Sequence, residues 1–130
     1  MRLQTEAKIA VQNDVRDRRL DLAWSAVLDL ENAANPDAER SEAIALWRDL
    51  ARTDMPTTAA VEGLAESISR RGVKAMDALH VASAITAGAA WLLTTDLALI
   101  RKMRGDDRIV VADPIDFIRH WQGDDDENRR

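Results

Sequence analysis

The sequence predicts a helix-dominated α/β domain with a short parallel sheet. Segments with helical periodicity alternate with short apolar runs that suit strands, and this alternation is typical of parallel strands joined by helical crossovers. A length of 130 residues fits one domain. The apolar fraction of 46% and the charged fraction of 32% are ordinary for a globular protein. We therefore expect one domain over residues 1–122 and a disordered, charged tail over residues 123–130.

The first half of the chain contains three predicted helices and one weak strand candidate. Residues 3–19 have apolar side chains at spacings of three or four, which indicates a polar amphipathic helix. Residues 21–25 are the strand candidate. The helix after them ends before Asn35-Pro36, because the residue before a proline avoids the helical region. Residues 37–52 predict a helix with these apolar residues on one face: Ala43, Leu46, Trp47 and Leu50.

The segment around Pro56 is either a connection or a very short edge strand. Thr57 or Thr58 can then cap a helix that runs to Arg71 and closes at Gly72. The next helix, over residues 74–87, is strongly apolar and ends at Gly88.

The last third of the chain holds the two best strands, residues 91–94 and 108–112. Thr95 or Asp96 caps a short helix between them, and Asp113-Pro114 supplies an N-cap and a first helical residue for the last helix. Three of the four tryptophans lie inside predicted elements and are expected in the core: Trp24, Trp47 and Trp91.

Composition excludes several classes of function. The chain has no cysteine, so it offers neither disulfides nor thiolate metal sites. No apolar run approaches the roughly 20 residues that a membrane helix needs, and no secretory leader opens the sequence, so a cytoplasmic protein is expected. The net charge of −5 argues weakly against a broad nucleic-acid-binding surface, although a carboxylate cluster that holds a metal would itself contribute negative charge.

Three polar residues interrupt the apolar helix over residues 74–87. Asp77, His80 and Ser83 are three apart and therefore share one narrow stripe. A carboxylate on a buried helix is costly unless it is paired, hydrogen-bonded or metal-bound. Asp77 can equally favour the helix dipole in the first turn. For His80, a core or supporting role is favoured over direct metal binding.

Two further acids lie near the carboxyl ends of predicted strands. Asp96 follows residues 91–94, at the end of the strand where ligands gather in open α/β sheets, but it can also be a simple helix cap. Glu31 lies one turn inside the helix after Ser25, and Asp29 points elsewhere. Without further context, a solvated helix face is the favoured place for Glu31 and for Asp29. If Glu31, Asp77 and Asp96 converge, their oxygens suit Mg²⁺ or Mn²⁺ and the hydrolysis of a phosphodiester.

The same residues carry a resemblance to the PIN-domain family. Residues 72–84 resemble the PIN helix in which an aspartate is followed by Ala-Leu-His-x-Ala, and residues 91–96 resemble the PIN strand that ends in Thr-x-Asp. Residues 110–117 resemble the last strand and the closing Asp-Pro-x-x-Phe helix, whereas Trp24-Ser25 with Glu31 resembles the second strand and its helix. The resemblance covers residues 20–121.

This resemblance implies a three-layer α/β/α fold and a Mg²⁺- or Mn²⁺-dependent ribonuclease that cleaves single-stranded RNA, as in VapC-type toxins. Glu31, Asp77 and Asp96 would be three of four catalytic, metal-binding acids. Asp77 would hold the metal directly or through water, Asp96 would complete the site, and Glu31 would orient the metal or the attacking water. RNA, an antitoxin protein and a second copy in a homodimer are the partners that the resemblance suggests.

One part of the PIN pattern has no counterpart in this sequence. A PIN domain begins with an apolar, central strand that ends in the principal metal-binding aspartate, whereas this sequence opens with a helical pattern. A missing central strand should leave two neighbouring strands unpaired and expose apolar surface. The native protein is then longer, or the chain is stabilised by a partner or a swapped element, or it is a remnant that folds poorly. Besides a nuclease, a catalytically inactive interaction module and a domain whose acids are only caps and surface charges stay open.

Overall fold

The structure is a computed structural model that describes the backbone of residues 2–128 and the side chains of residues 6–123. In this part of the chain, helices alternate with short strands. The helices are α1 (Arg2–Arg16), α2 (Ala26–Ala33), α3 (Ala38–Arg48), α4 (Ala59–Ser69), α5 (Ala75–Thr86), α6 (Leu97–Met103) and α7 (Pro114–Asn128). The strands are β1 (Ala23–Ser25), β2 (Thr53–Met55), β3 (Trp91–Leu93) and β4 (Val110–Ala112). The predicted helix-dominated α/β class is confirmed.

Short polar side chains and glycines set the helix ends where the sequence predicts them. The Thr58 hydroxyl accepts a hydrogen bond from the first turn of α4, and the Asp96 carboxylate accepts two from the first turn of α6. Asp113 caps α7 in the same way, because its Oδ1 accepts from the Asp116 amide at 2.9 Å. Gly72 and Gly88 follow α4 and α5 with φ of +86° and +79°, a conformation that favours glycine.

The strands form two separate parallel pairs and not the single short sheet that the alternation of helices and strands predicts. Ala23 of β1 lies opposite Thr53 of β2, and Trp91 of β3 lies opposite Val110 of β4. No ladder joins β1 to β3 in the described residues. Each pair therefore has unpaired edges, which is costly for buried backbone groups.

One hydrophobic core fills the space between α4, α5, α6 and β4. Its fully buried side chains include Ile68, Val81 and Met103, each at most 1% exposed. Side chains from all four elements contribute to the same cluster. This core fixes α5, which also contacts β1, β2 and β3.

A cavity of about 600 Å³ lies on the other side of α5. Its walls are β1, β3 with the loop before it, and one face of α5 that carries His80, Ser83 and Ala84. Helices α1 and α7 also line it, through Val11, Val15 and Phe117. No residue of β2 or β4 lines it. The cavity therefore lies beside one strand of each parallel pair, β1 and β3.

Several predicted features differ in detail. The face of α3 that carries Leu46 is largely solvent-exposed, with Leu46 itself 68% exposed, because periodicity places side chains on one face without supplying a partner for it. Trp47 is only partly buried, and the Arg16 guanidinium lies 4.9 Å from its ring centroid. Trp24 is buried as expected, and Trp91 is partly buried against Phe117.

The end of the chain was predicted to be a disordered tail over residues 123–130. The backbone of α7 continues to Asn128. The side chains after Gly123 and residues 129–130 lie outside the described part of the chain. Within the part that is described, no helix is both long and apolar enough to cross a membrane.

Candidate functional site

Glu31 and His80 meet at the contact between α2 and α5. Glu31 Oε2 lies 2.6 Å from His80 Nε2, which is a short hydrogen bond. The His80 side chain is 15% exposed and that of Glu31 is 57% exposed. The pair thus joins a partly covered imidazole to a carboxylate that is open to solvent, as expected for a solvated helix face, and that also contacts α5.

Asp29, the other acid of α2, has a different role. Its Oδ1 accepts a hydrogen bond from the indole Nε1 of Trp24 at 3.0 Å, and the Arg48 guanidinium lies 3.3 Å from the same oxygen. Asp29 therefore ties β1 to α2 and α3, as expected from its position two residues away from Glu31. The prediction that Asp29 and Glu31 point in different directions is confirmed by their different partners.

Asp77 lies in the first turn of α5, one turn before His80. It is partly buried, and it has no hydrogen bond or ion pair within residues 6–123. Its position favours the positive end of the helix dipole. Asp77 therefore lies one helical turn from His80 and has both carboxylate oxygens available.

Asp96 is exposed and acts as the N-cap of α6. Its Oδ1 accepts hydrogen bonds from Ala98 N at 3.0 Å and from Leu99 N at 3.2 Å. The Asp96 amide in turn donates to Thr94 Oγ1. The capping interpretation of Asp96 is thus confirmed, and it leaves Oδ2 without a hydrogen bond in the described structure.

The acids do not form a complete metal site on their own. Over residues 6–123, no three side chains from aspartate, glutamate or histidine are close enough together to hold a metal ion. One oxygen each of Glu31 and Asp96 is already engaged, with His80 and with the amides of α6. A hard divalent cation needs several convergent oxygen ligands. The described donor set therefore does not fit Mg²⁺ or Mn²⁺ without a further ligand.

Two features of the structure were not found by sequence reasoning. Ser83 Oγ is fully buried without a hydrogen-bond partner and lies against the cavity. Asp106 binds Arg71 at 2.9 Å and Arg108 at 2.7 Å. The hydrogen bond from Arg108 lowers the pKa of Asp106 well below its ordinary value, although burial opposes this shift. Helical spacing places Ser83 on the same stripe as Asp77 and His80, but it does not predict the cavity beside Ser83.

Comparisons with models of protein families, with curated proteins and with solved structures found no match to this chain. The resemblance to the PIN family stays a prediction that depends on the motifs themselves.

Proposed function

We propose that this chain is the larger part of a PIN-like, Mg²⁺- or Mn²⁺-dependent ribonuclease that cleaves single-stranded RNA. Glu31, Asp77 and Asp96 are the resident acids of its site. The proposal extends to a toxin of the VapC type, with an antitoxin protein as its partner and a homodimer as its assembly. The site needs at least one further ligand before it can hold a metal.

The contact between Glu31 and His80 is the main support for this proposal. It brings the acid of α2 to α5, one turn from the otherwise unpaired Asp77. Glu31 and His80 lie 49 residues apart in the sequence, so their contact is a property of the fold. Asp96 adds a third carboxylate just beyond the end of β3, the region where ligands bind in open α/β sheets.

The chemistry of these residues suits phosphodiester hydrolysis once the ligand set is complete. A bound divalent cation would polarise the phosphate and lower the pKa of a water molecule. His80 restrains the Glu31 carboxylate through its hydrogen bond, which keeps that side chain in one orientation at the site. The Asp77 carboxylate is available to a ligand, because no described residue engages it.

The test is RNA cleavage by the purified chain with and without Mn²⁺. We expect weak, EDTA-sensitive cleavage of a single-stranded substrate that falls at least about 10-fold in Asp77→Ala, since each factor of ten corresponds to about 1.4 kcal/mol of barrier. Glu42→Ala, which removes an exposed acid of α3, serves as the matched control and should cleave like the wild type. Equal cleavage by the wild type and Asp77→Ala would exclude this site.

A second candidate function is a catalytically inactive, PIN-like module that binds a protein partner. It is favoured by the lack of a three-ligand cluster among the side chains of residues 6–123. Strong, EDTA-sensitive cleavage by the purified chain would reject this alternative. Isothermal titration with Mn²⁺ separates the two functions. If the chain is an inactive module, the wild type should bind Mn²⁺ no better than Asp77→Ala does.

A further inference from the structure

The segment after α4 and the end of α6 together form a basic surface. This surface consists of residues 70–74 and residues 101–108, which carry seven of the 18 basic residues of the chain and two of its 23 acidic residues. The net charge of the two segments is therefore +5, whereas that of the whole chain is −5. Positive charge is thus concentrated on a small part of a chain that is acidic elsewhere.

Two hydrogen bonds fasten the two segments of the basic surface to each other. Arg71 Nη2 donates to Lys102 O at 2.7 Å, and Lys102 Nζ donates to Gly72 O at 2.7 Å. Arg71 also forms an ion pair with Asp106 at 2.9 Å. The two groups of cations are therefore neighbours in space, although 30 residues separate Lys102 from Gly72 in the sequence.

Part of this positive charge is not balanced by acids. Arg70 is paired with Glu66, and Arg71 and Arg108 share Asp106. The remaining cations are exposed and have no carboxylate within 4 Å among the described side chains: Lys74, Arg101, Lys102 and Arg104. Four exposed cations without counter-ions form a local attraction for a polyanion.

Helix stability accounts for some of these cations but not for Lys74. Arg101 and Lys102 lie in the last turn of α6, where the helix dipole favours positive charge. Lys74 is the N-cap of α5, where the dipole disfavours a cation, and its side chain makes no capping hydrogen bond. A negatively charged ligand would compensate for a cation at this position.

We propose that the basic surface binds the sugar-phosphate backbone of the single-stranded RNA that the candidate site would cleave, an inference that rests on the proposed nuclease function. Lys74 lies three residues before Asp77, which is about one helical turn. Helix α6 runs from the Asp96 cap to the basic surface over about 10 Å. A strand held on the basic surface is therefore within reach of both acids.

The residues of the basic surface select phosphate groups and not bases. Its two segments contain no aromatic residue on which a base could stack. Contacts from lysine and arginine to phosphates supply affinity without sequence information. The acidic remainder of the chain would repel the second strand of a duplex. We therefore expect binding that depends on salt and on strandedness but not on base sequence.

The experiment measures binding of short, labelled single-stranded RNAs of two sequences to the full chain by fluorescence anisotropy, in EDTA so that no cleavage occurs. With about four phosphate contacts, log Kd should rise with log salt with a slope of about 2.8, so binding should be roughly 50-fold weaker at 200 mM than at 50 mM KCl. Lys74→Gln, Arg101→Gln and Arg104→Gln should each lower this slope by about 0.7. Arg40→Gln, which removes an exposed and unpaired cation of α3, is the matched control and should leave the slope unchanged.

Thermal unfolding separates RNA binding from a structural role. Lys74→Gln should leave Tm unchanged or raise it, because it removes a cation from the positive end of the helix dipole. A lower Tm with unchanged RNA binding would overturn the proposal. Equal slopes in the three variants and in Arg40→Gln, tighter binding of duplex RNA, or equal binding of a polyglutamate peptide of the same charge would also overturn it.

The same variants distinguish a failure of the basic surface from a failure of the nuclease. RNA binding with the expected salt dependence, but no cleavage by the wild type in Mn²⁺, would keep the basic surface and reject the nuclease. EDTA-sensitive cleavage combined with salt slopes that the three substitutions leave unchanged would keep the nuclease and reject the basic surface.

Discussion

The two sides of α5 are packed differently. On one side, α4, α6 and β4 enclose a continuous core in which Ile68 and Val81 are almost completely buried. On the other side, β1 and β3 flank a cavity that α1 and α7 only partly cover. The same apolar helix therefore has a filled face and an unfilled face. Because interiors normally pack without large voids, this second face of α5 is packed less tightly than the first.

The polar contacts show the same difference. On the filled side, Asp106 holds Arg71 and Arg108, and Arg71 Nη2 donates to the Lys102 carbonyl. These bonds fasten the loop after α4 to the segment around α6. On the cavity side, Ser83 Oγ has no partner. The candidate site adjoins this second region, because His80 both contacts Glu31 and lines the cavity.

The largest expected effect is a difference in the free energy of unfolding between two substitutions, one on each side of α5. Ile68→Ala removes three buried carbon atoms from the filled core and should lower the free energy of unfolding by about 2–5 kcal/mol. Leu20→Ala removes the same number of carbon atoms beside the existing cavity and should cost about 1 kcal/mol or less, because little packing is lost there. Urea unfolding of both variants measures the two values.

Equal losses in Ile68→Ala and Leu20→Ala would contradict the difference in packing. Such a result would indicate that the cavity closes in solution. The urea m-value provides a check, since closing the cavity leaves it unchanged, whereas a partly unfolded cavity side would lower it.

The sequence predicted local elements better than it predicted their assembly. Capping residues such as Thr58 and Asp96, together with Gly72 and Gly88, mark helix ends because their effects are local. The exposed face of Leu46 and the split between β1 and β3 depend on which surfaces find partners, and periodicity carries no such information.

For the candidate site, the sequence supplied residue types and spacing but not contacts. The separation of Glu31 from Asp29 followed from helical geometry and is confirmed by their different partners. The contact between Glu31 and His80 spans 49 residues and could not be deduced from spacing. Whether Asp77 and Asp96 join Glu31 around a metal stays a prediction, which the Mn²⁺ titration and the RNA-cleavage assay address.

A moderate effect is expected at the polar cluster on the filled side. Asp106→Asn should lower the free energy of unfolding by about 1–2 kcal/mol at pH 7, because hydrogen bonds to a charged group are lost. The pKa of Asp106 in the folded chain lies below its ordinary value of 3.8, so its contribution is present above that pH and is lost as pH falls below it. The difference in free energy of unfolding between the wild type and Asp106→Asn should therefore decrease below pH 3.8.

Asp107→Asn is the matched control for that measurement. Asp107 is the exposed neighbour of Asp106 and makes no ion pair shorter than 4 Å in the described structure. Its substitution should change the free energy of unfolding by less than about 0.5 kcal/mol both at pH 7 and at pH 2.5. A gap for Asp106→Asn that stays constant from pH 7 to pH 2.5 would show that its charge does not contribute.

The smallest effect has the opposite sign and tests the unfilled side directly. Ser83→Ala removes a buried hydroxyl that has no hydrogen-bond partner, so it should raise the free energy of unfolding by about 1 kcal/mol. Ser69→Ala, by contrast, removes an exposed hydroxyl that donates to Glu66 O and should be neutral or slightly destabilising. A loss of stability in Ser83→Ala as large as that in Ser69→Ala would show that the buried hydroxyl has a hydrogen-bond partner in solution.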